Sequence, residues 1–285
     1  MDTPAGLAIK RMLPLWHPFV ACPPSRIAAP FPSIIPSHLM SHLSRRSLIQ
    51  GAASLATLSL LGSERSHARA VDSPPKLGNG AVILFQGDSI TDSGRLKSDA
   101  EPNSERALGK GYAQMLAGEI LHSHPDLGLK IFNRGISGNK VPDLAARWQA
   151  DTIDLKPNVL SILIGVNDLW HTFAFGNKFK GTVKDYEDGY RSLLERTLKE
   201  CPGVRIVICE PFTTRTSPEF KPLADYAAVS KKLAAEMKLT FVPFQSVFDQ
   251  AVKAAPAPFW LGDGIHPTMA GYALMSRAWR EAVGI

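Results

Sequence analysis

Five short stretches of the chain are almost uninterruptedly apolar: Ala81–Phe85, Leu129–Phe132, Val159–Ile164, Val204–Cys209 and Thr240–Pro243. Between them lie longer stretches in which apolar residues recur at helical spacing. Tyr186, Tyr190, Leu193 and Leu194 form one such stripe, and Leu274, Ala278 and Trp279 another. The pattern predicts helices over Gly111–His122, Pro142–Asp154, Val183–Glu200, Pro222–Lys238, Ser246–Ala254 and Thr268–Val283. Strands without a polar alternation belong to a parallel sheet covered on both faces. Strand–helix alternation over residues 81–285 therefore predicts one three-layer α/β/α domain with no internal repeat. In such a sheet chemistry gathers at the carboxyl ends of the strands, so each motif is judged by whether it follows one.

The first eighty residues do not share this pattern. Residues 1–39 are rich in proline and lack apolar periodicity. Ser44-Arg45-Arg46-Ser47-Leu48 then leads into the apolar stretch Leu48–Gly62, and Ala68-Arg69-Ala70 follows before Val71. This order reads as a twin-arginine export signal over residues 40–70, with small residues at its cleavage point. The apolar stretch falls short of the ~20 residues that span a membrane, and no cysteine stands at the cleavage point. The expectation is export to the periplasm or beyond, with no stable membrane anchor. Translation is expected to start at Met40, with residues 1–39 a disordered extension or a mis-assigned start. Residues 71–80, rich in Pro and Gly, read as a linker.

Net charge is +6, but the location of that charge removes its apparent meaning. Residues 1–70 hold seven Lys/Arg and two acidic residues, which leaves 25 basic against 24 acidic from Val71 onward. A nearly neutral domain offers no footprint for nucleic acid. Of the three cysteines, Cys22, Cys201 and Cys209, the last two flank an extended run. At about 3.3 Å per residue they are held beyond disulfide reach, so both read as small buried hydrophobes. No Cys/His cluster suggests a metal.

The first apolar run ends in Gln86-Gly87-Asp88-Ser89-Ile90-Thr91-Asp92. A serine presented there is a candidate nucleophile, although Gly-Asp-Ser also suits an ordinary turn. A phosphatase aspartate nucleophile would need a second carboxylate two residues on, where Ile90 stands. A serine hydroxyl needs a base, and beyond the leader the histidines are His122, His124, His171 and His266. His266 lies in Leu261-Gly262-Asp263-Gly264-Ile265-His266-Pro267-Thr268, just before the last predicted helix. Asp263, three residues earlier, can fold back to hold the imidazole tautomer and stabilise the imidazolium. The alternative is a capping aspartate beside a surface histidine. Oxyanion donors can come from Asn133-Arg134-Gly135-Ile136-Ser137-Gly138-Asn139, after the second strand, and from Gly165-Val166-Asn167-Asp168, in a predicted loop after the third.

Taken together, these four segments resemble the four sequence blocks of the SGNH/GDSL hydrolase family, in order and across nearly all of residues 81–283. The resemblance implies a flavodoxin-like five-stranded parallel sheet and a serine esterase that needs no metal or cofactor. It implies Ser89 as nucleophile and first oxyanion N–H, Gly138 as second donor, and Asn167 as side-chain donor. Asp263 and His266 match the family's acid and base, and Asp88 and Asp168 are expected to orient the loops. Gly109-Lys110-Gly111-Tyr112, Arg147-Trp148, Leu169-Trp170 and the Asp-Gly-Ile-His-Pro-Thr loop further resemble the acetylxylan esterase branch. That branch implies short acyl groups, acetate foremost, on xylan or related oligosaccharides, and it is often oligomeric. Trp170, with His171, Phe173 and Phe175, can floor a sugar or acyl site or can form a partly buried apolar loop. Two alternatives stand beside this reading: a lysophospholipase or thioesterase, and a catalytically silent carbohydrate-binding module.

Overall fold

The computed structural model describes residues 77–176 and 178–285. The expectations for residues 1–39, for the export signal at 40–70 and for residues 71–76 lie outside the described residues. All five predicted strands form, within one or two residues of the predicted limits: β1 Val82–Gly87, β2 Lys130–Asn133, β3 Val159–Leu163, β4 Arg205–Cys209 and β5 Thr240–Val242. They make one parallel sheet in the order β2-β1-β3-β4-β5. This is the flavodoxin-like order, in which the chain starts near the middle and winds outward in both directions.

The helices, in chain order, are α1 Ser89–Asp92, α2 Glu105–Leu108, α3 Tyr112–Ser123, α4 Val141–Trp148, α5 Val166–Phe173, α6 Val183–Glu200, α7 Leu223–Glu236, α8 Phe244–Ala251, α9 Ala257–Trp260 and α10 Met269–Val283. The six predicted helices are α3, α4, α6, α7, α8 and α10. A π-turn at Gln149–Ile153 continues α4 and accounts for the predicted extension to Asp154. Helix α6 has the predicted limits because Thr182 and Asp185 close a reciprocal cap at its start.

Helices α3, α8 and α10 pack together on one side of the sheet, and α4, α6 and α7 form the other layer. On the first side Phe85 meets Tyr112 and Trp279 edge-on or tilted, with ring centroids 5.7 and 5.6 Å apart. The Trp279 indole N–H donates to Ser161 Oγ at 2.9 Å, so a fully buried ring carries no unmet donor. On the second side Trp148 donates to Thr197 Oγ1 at 3.0 Å in the same way. Cys201 and Cys209 are free and buried, as their neighbours in sequence suggested.

Helix α5 is the main departure from the periodicity reading, which places Asn167 and Asp168 in a loop. Val166, Asn167, Asp168 and Leu169 are all buried, and the Gly-Val-Asn-Asp segment that suits a loop in sequence lies at the N-cap and in the first turn of this short helix. Register then explains why the motifs converge. Gly87 pairs with Leu163, and Phe85 with Asn133. The segments that follow β1, β2 and β3 therefore leave the same edge of the sheet.

Candidate active site

Ser89 opens α1 directly beyond β1, and the Asp88 side chain caps that helix by accepting from the Ile90 N–H at 3.0 Å. Ser89 Oγ stands 2.8 Å from His266 Nε2. On the other side of the ring, His266 Nδ1 stands 2.9 Å from Asp263 Oδ2. The second oxygen of Asp263 accepts from the backbone N–H groups of His266, at 2.7 Å, and Ile265, at 2.9 Å. Partial burial works to raise the Asp263 carboxyl, but the His266 and Ile265 bonds outweigh it and carry the carboxyl down to about 2. Asp263 thus remains an anion across the neutral range. The arrangement can take a proton from a hydroxyl and hold the resulting imidazolium.

Around this chain the other predicted residues fall into place at different distances from it. Asn167 is buried, and its side-chain amide donates to the Asn139 carbonyl at 3.2 Å, which joins α5 to the loop carrying Gly138. Gly138 has a φ of 81° and faces His171. The Trp170 ring lies 6.4 Å from the His266 ring, centroid to centroid. Phe175 and Phe220 meet the Trp170 ring edge-on, with centroids 5.1 and 5.8 Å away. Phe173 and Phe175 are exposed, the latter at 62%. Phe175 also holds a φ of 50°, an uncommon conformation for a bulky residue. Its ring meets Trp170 edge-on and His171 at a tilt. Among the described residues no group of three or more His, Cys, Asp or Glu side chains is arranged to hold a metal ion.

Three further residues make contacts around the site that the sequence pattern does not reveal. The Asn133 amide donates to the Thr91 carbonyl at 2.6 Å and the Leu108 carbonyl at 2.8 Å, while its oxygen accepts from the Gly135 N–H at 2.9 Å. Asp92 accepts from both the N–H and the hydroxyl of Ser137, at 2.9 and 3.0 Å, and pairs with Lys97 at 2.8 Å. Burial works to raise its carboxyl; the Lys97 and Ser137 bonds prevail and lower it. These two residues tie α1 to the Gly135–Gly138 loop. The third, Arg215, reaches Asp263 from the segment after β4. Asn133 and Asp92 stand inside recognisable motifs, but Arg215 lies in none.

Asp88 and Asp168 are almost fully buried, at 1% and 2% exposure, and each keeps one oxygen without a hydrogen-bond partner. The other oxygen of Asp168 accepts from the Val141 N–H at 2.9 Å, linking α5 to the start of α4. Burial raises both carboxyls to about 7. A carboxyl raised on folding lends stability below its unfolded pKa and loses it as pH rises through the folded one. Stability is therefore expected to fall between about pH 4 and about pH 7, by a few kcal/mol for each group. Urea unfolding at a series of pH values should show the fall in wild type and a flatter profile in an Asp88→Asn/Asp168→Asn variant. An unchanged slope in the variant would remove these two carboxyls as its cause.

The GDSL-like lipase/acylhydrolase family matches residues 85–274. An acetylxylan esterase of Geobacillus stearothermophilus is 36% identical over 214 residues, 73% of this chain and 96% of that protein. The solved structure of Axe2, an acetylxylan esterase from Geobacillus stearothermophilus, superposes with a TM-score of 0.67 at 35% identity, covering 74% of this chain and 97% of that one. Structures described as catalytic mutants of Axe2 replace a serine, an aspartate and a histidine, the last two three residues apart. A putative GDSL-like lipase from Parabacteroides merdae superposes with a TM-score of 0.71 at 46% identity, over 73% of this chain and 98% of that one.

Proposed function

The chain belongs to the GDSL-like lipase/acylhydrolase family and is a carboxylic ester hydrolase of the SGNH type; within that family we propose that it removes short acyl groups, acetate foremost, from xylan-derived or related oligosaccharides. The observation that carries the mechanism is the hydrogen-bonded chain Ser89–His266–Asp263, at 2.8 and 2.9 Å. In this reading His266 takes the Ser89 proton as Oγ attacks the ester carbonyl carbon. The N–H groups of Ser89 and Gly138 and the side-chain amide of Asn167 receive the oxyanion. The Asn167 amide exchanges its Asn139 carbonyl for the developing charge at that step. His266 then protonates the departing sugar oxygen, which breaks the ester bond and leaves the acyl group on Ser89. Water enters, gives its proton to His266 and attacks the acyl carbon. The carboxylic acid departs and Ser89 recovers its proton.

The similarity to an acetylxylan esterase supports the acetyl and oligosaccharide part of the proposal. Trp170 supports it too: its ring lies beside His266, where an aromatic side chain can border a bound sugar. The exposed rings of Phe173 and Phe175 favour a second reading, in which a longer acyl chain lies along the same ring. The twin-arginine leader supports a periplasmic or secreted location, where polymer fragments are met.

Hydrolysis of p-nitrophenyl acetate, butyrate and octanoate, and of acetylated xylo-oligosaccharide, tests the proposal. Acetate should exceed octanoate in kcat/KM by about 10-fold or more, since each misplaced methylene alters binding by ~1–3 kcal/mol. Trp170→Ala should lower kcat/KM on the oligosaccharide about 10-fold more than on p-nitrophenyl acetate. A preference for octanoate would replace the acetylesterase reading with the lipid-ester one.

A further inference from the structure

Arg215 touches three parts of the site at once. Its Nε–H donates to the backbone carbonyl of Asp263 at 2.8 Å, and its terminal nitrogen lies 3.5 Å from Asp263 Oδ2, the oxygen that faces His266. Its guanidinium carbon lies over the Trp170 ring, 4.6 Å from the centroid, and over the Phe220 ring at 5.1 Å. Its backbone N–H is fixed by Thr213 Oγ1 at 3.0 Å. The same segment grips the next loop residue, because Thr213 Oγ1 and the Thr214 N–H both donate to the Gly264 carbonyl, at 2.8 and 2.9 Å. A planar, permanently charged fork that stacks and donates at once is a task lysine does not reproduce.

We propose that Arg215 is a positioning residue for ester hydrolysis: it seats the Asp263–His266 loop on the Trp170 wall and holds a fixed cation against the Asp263 carboxylate. The proposal rests on the Ser89–His266–Asp263 reading. The consequence is one of placement: the fork ties the Asp263 carbonyl to the Trp170 ring, so its loss frees the loop that carries His266, and a charge without the fork does not restore the tie.

The experiment measures kcat and KM on p-nitrophenyl acetate for wild type, Arg215→Met, Arg215→Gln and Arg215→Lys, with urea unfolding on each and Ser89→Ala assayed beside them. Arg215→Met and Arg215→Gln should lower kcat about 10-fold through loss of loop placement, with KM and the unfolding midpoint little changed. Arg215→Lys should recover only part of that kcat, because charge returns without the fork. A wild-type kcat in both neutral variants, or a loss that follows KM or the midpoint instead, would overturn the role of Arg215. Wild-type rates in Ser89→Ala would instead overturn the triad reading on which that role depends.

Discussion

Ser89→Ala is expected to lower kcat/KM on p-nitrophenyl acetate at least ten-thousand-fold while leaving the fold intact. The side chain ends in a single hydroxyl whose hydrogen bond is to His266, at 2.8 Å, so its removal leaves no buried polar group unmet. His266→Ala should cost about as much, and the double variant little more than either, because the two groups act as one unit. What activity survives would come from the oxyanion donors and from binding, which do not need the serine hydroxyl. Steady-state rates on purified protein, with urea unfolding to show that stability is unchanged, would check it. Equal rates in wild type and Ser89→Ala would place the nucleophile elsewhere and end the mechanism proposed here.

How far the sequence anticipates this site depends on how local each feature is. The strands were legible because both faces of β1, β3 and β4 are covered, which leaves unbroken apolar runs such as Val82–Phe85. Helix α6 was legible to the residue because its cap is written in Thr182 and Asp185. Ser89 and the Asp263–His266 pair are carried by segments of a few residues, and an i,i+3 pair closes on itself in a turn. Helix α5 was not legible, since its buried polar first turn mimics a loop. Arg215 was hidden for a different reason. It lies 48 residues from Asp263, and only the winding of β4 and β5 brings its segment against the His266 loop. The bracing by Asn133 and Asp92 likewise crosses between β1 and β2, where no local pattern signals it.

That bracing sets up the second large effect, at Gly135. A Cβ at this position would lie 2.4 Å from the Asp92 backbone nitrogen, 2.8 Å from the Thr91 carbonyl carbon and 2.9 Å from Thr91 Cβ. Two of these are backbone atoms of α1, so no flexible side chain can move aside to relieve the contact. Helix α1 is also held by the Asp88 cap, by Asn133 on the Thr91 carbonyl and by Ser137 on Asp92. Gly135→Ala must therefore push the β2–α4 loop away from α1, or displace α1 and Ser89 with it. His266 arrives on a separate loop before α10 and has no reason to follow. The overpacking is expected to cost about 3 kcal/mol. The lost Ser89–His266 alignment should lower kcat about a hundred-fold, with a smaller effect on KM. Urea unfolding and initial rates at a temperature where the variant stays folded would measure both. Gly118→Ala serves as the control, because Gly118 lies within α3 and a methyl added there would meet nothing within 4 Å. There the substitution should stabilise by ~0.5–1 kcal/mol and leave kcat unchanged. Wild-type kcat and midpoint in Gly135→Ala would mean that the loop after β2 yields freely, and that the nucleophile helix is not clamped between it and β1.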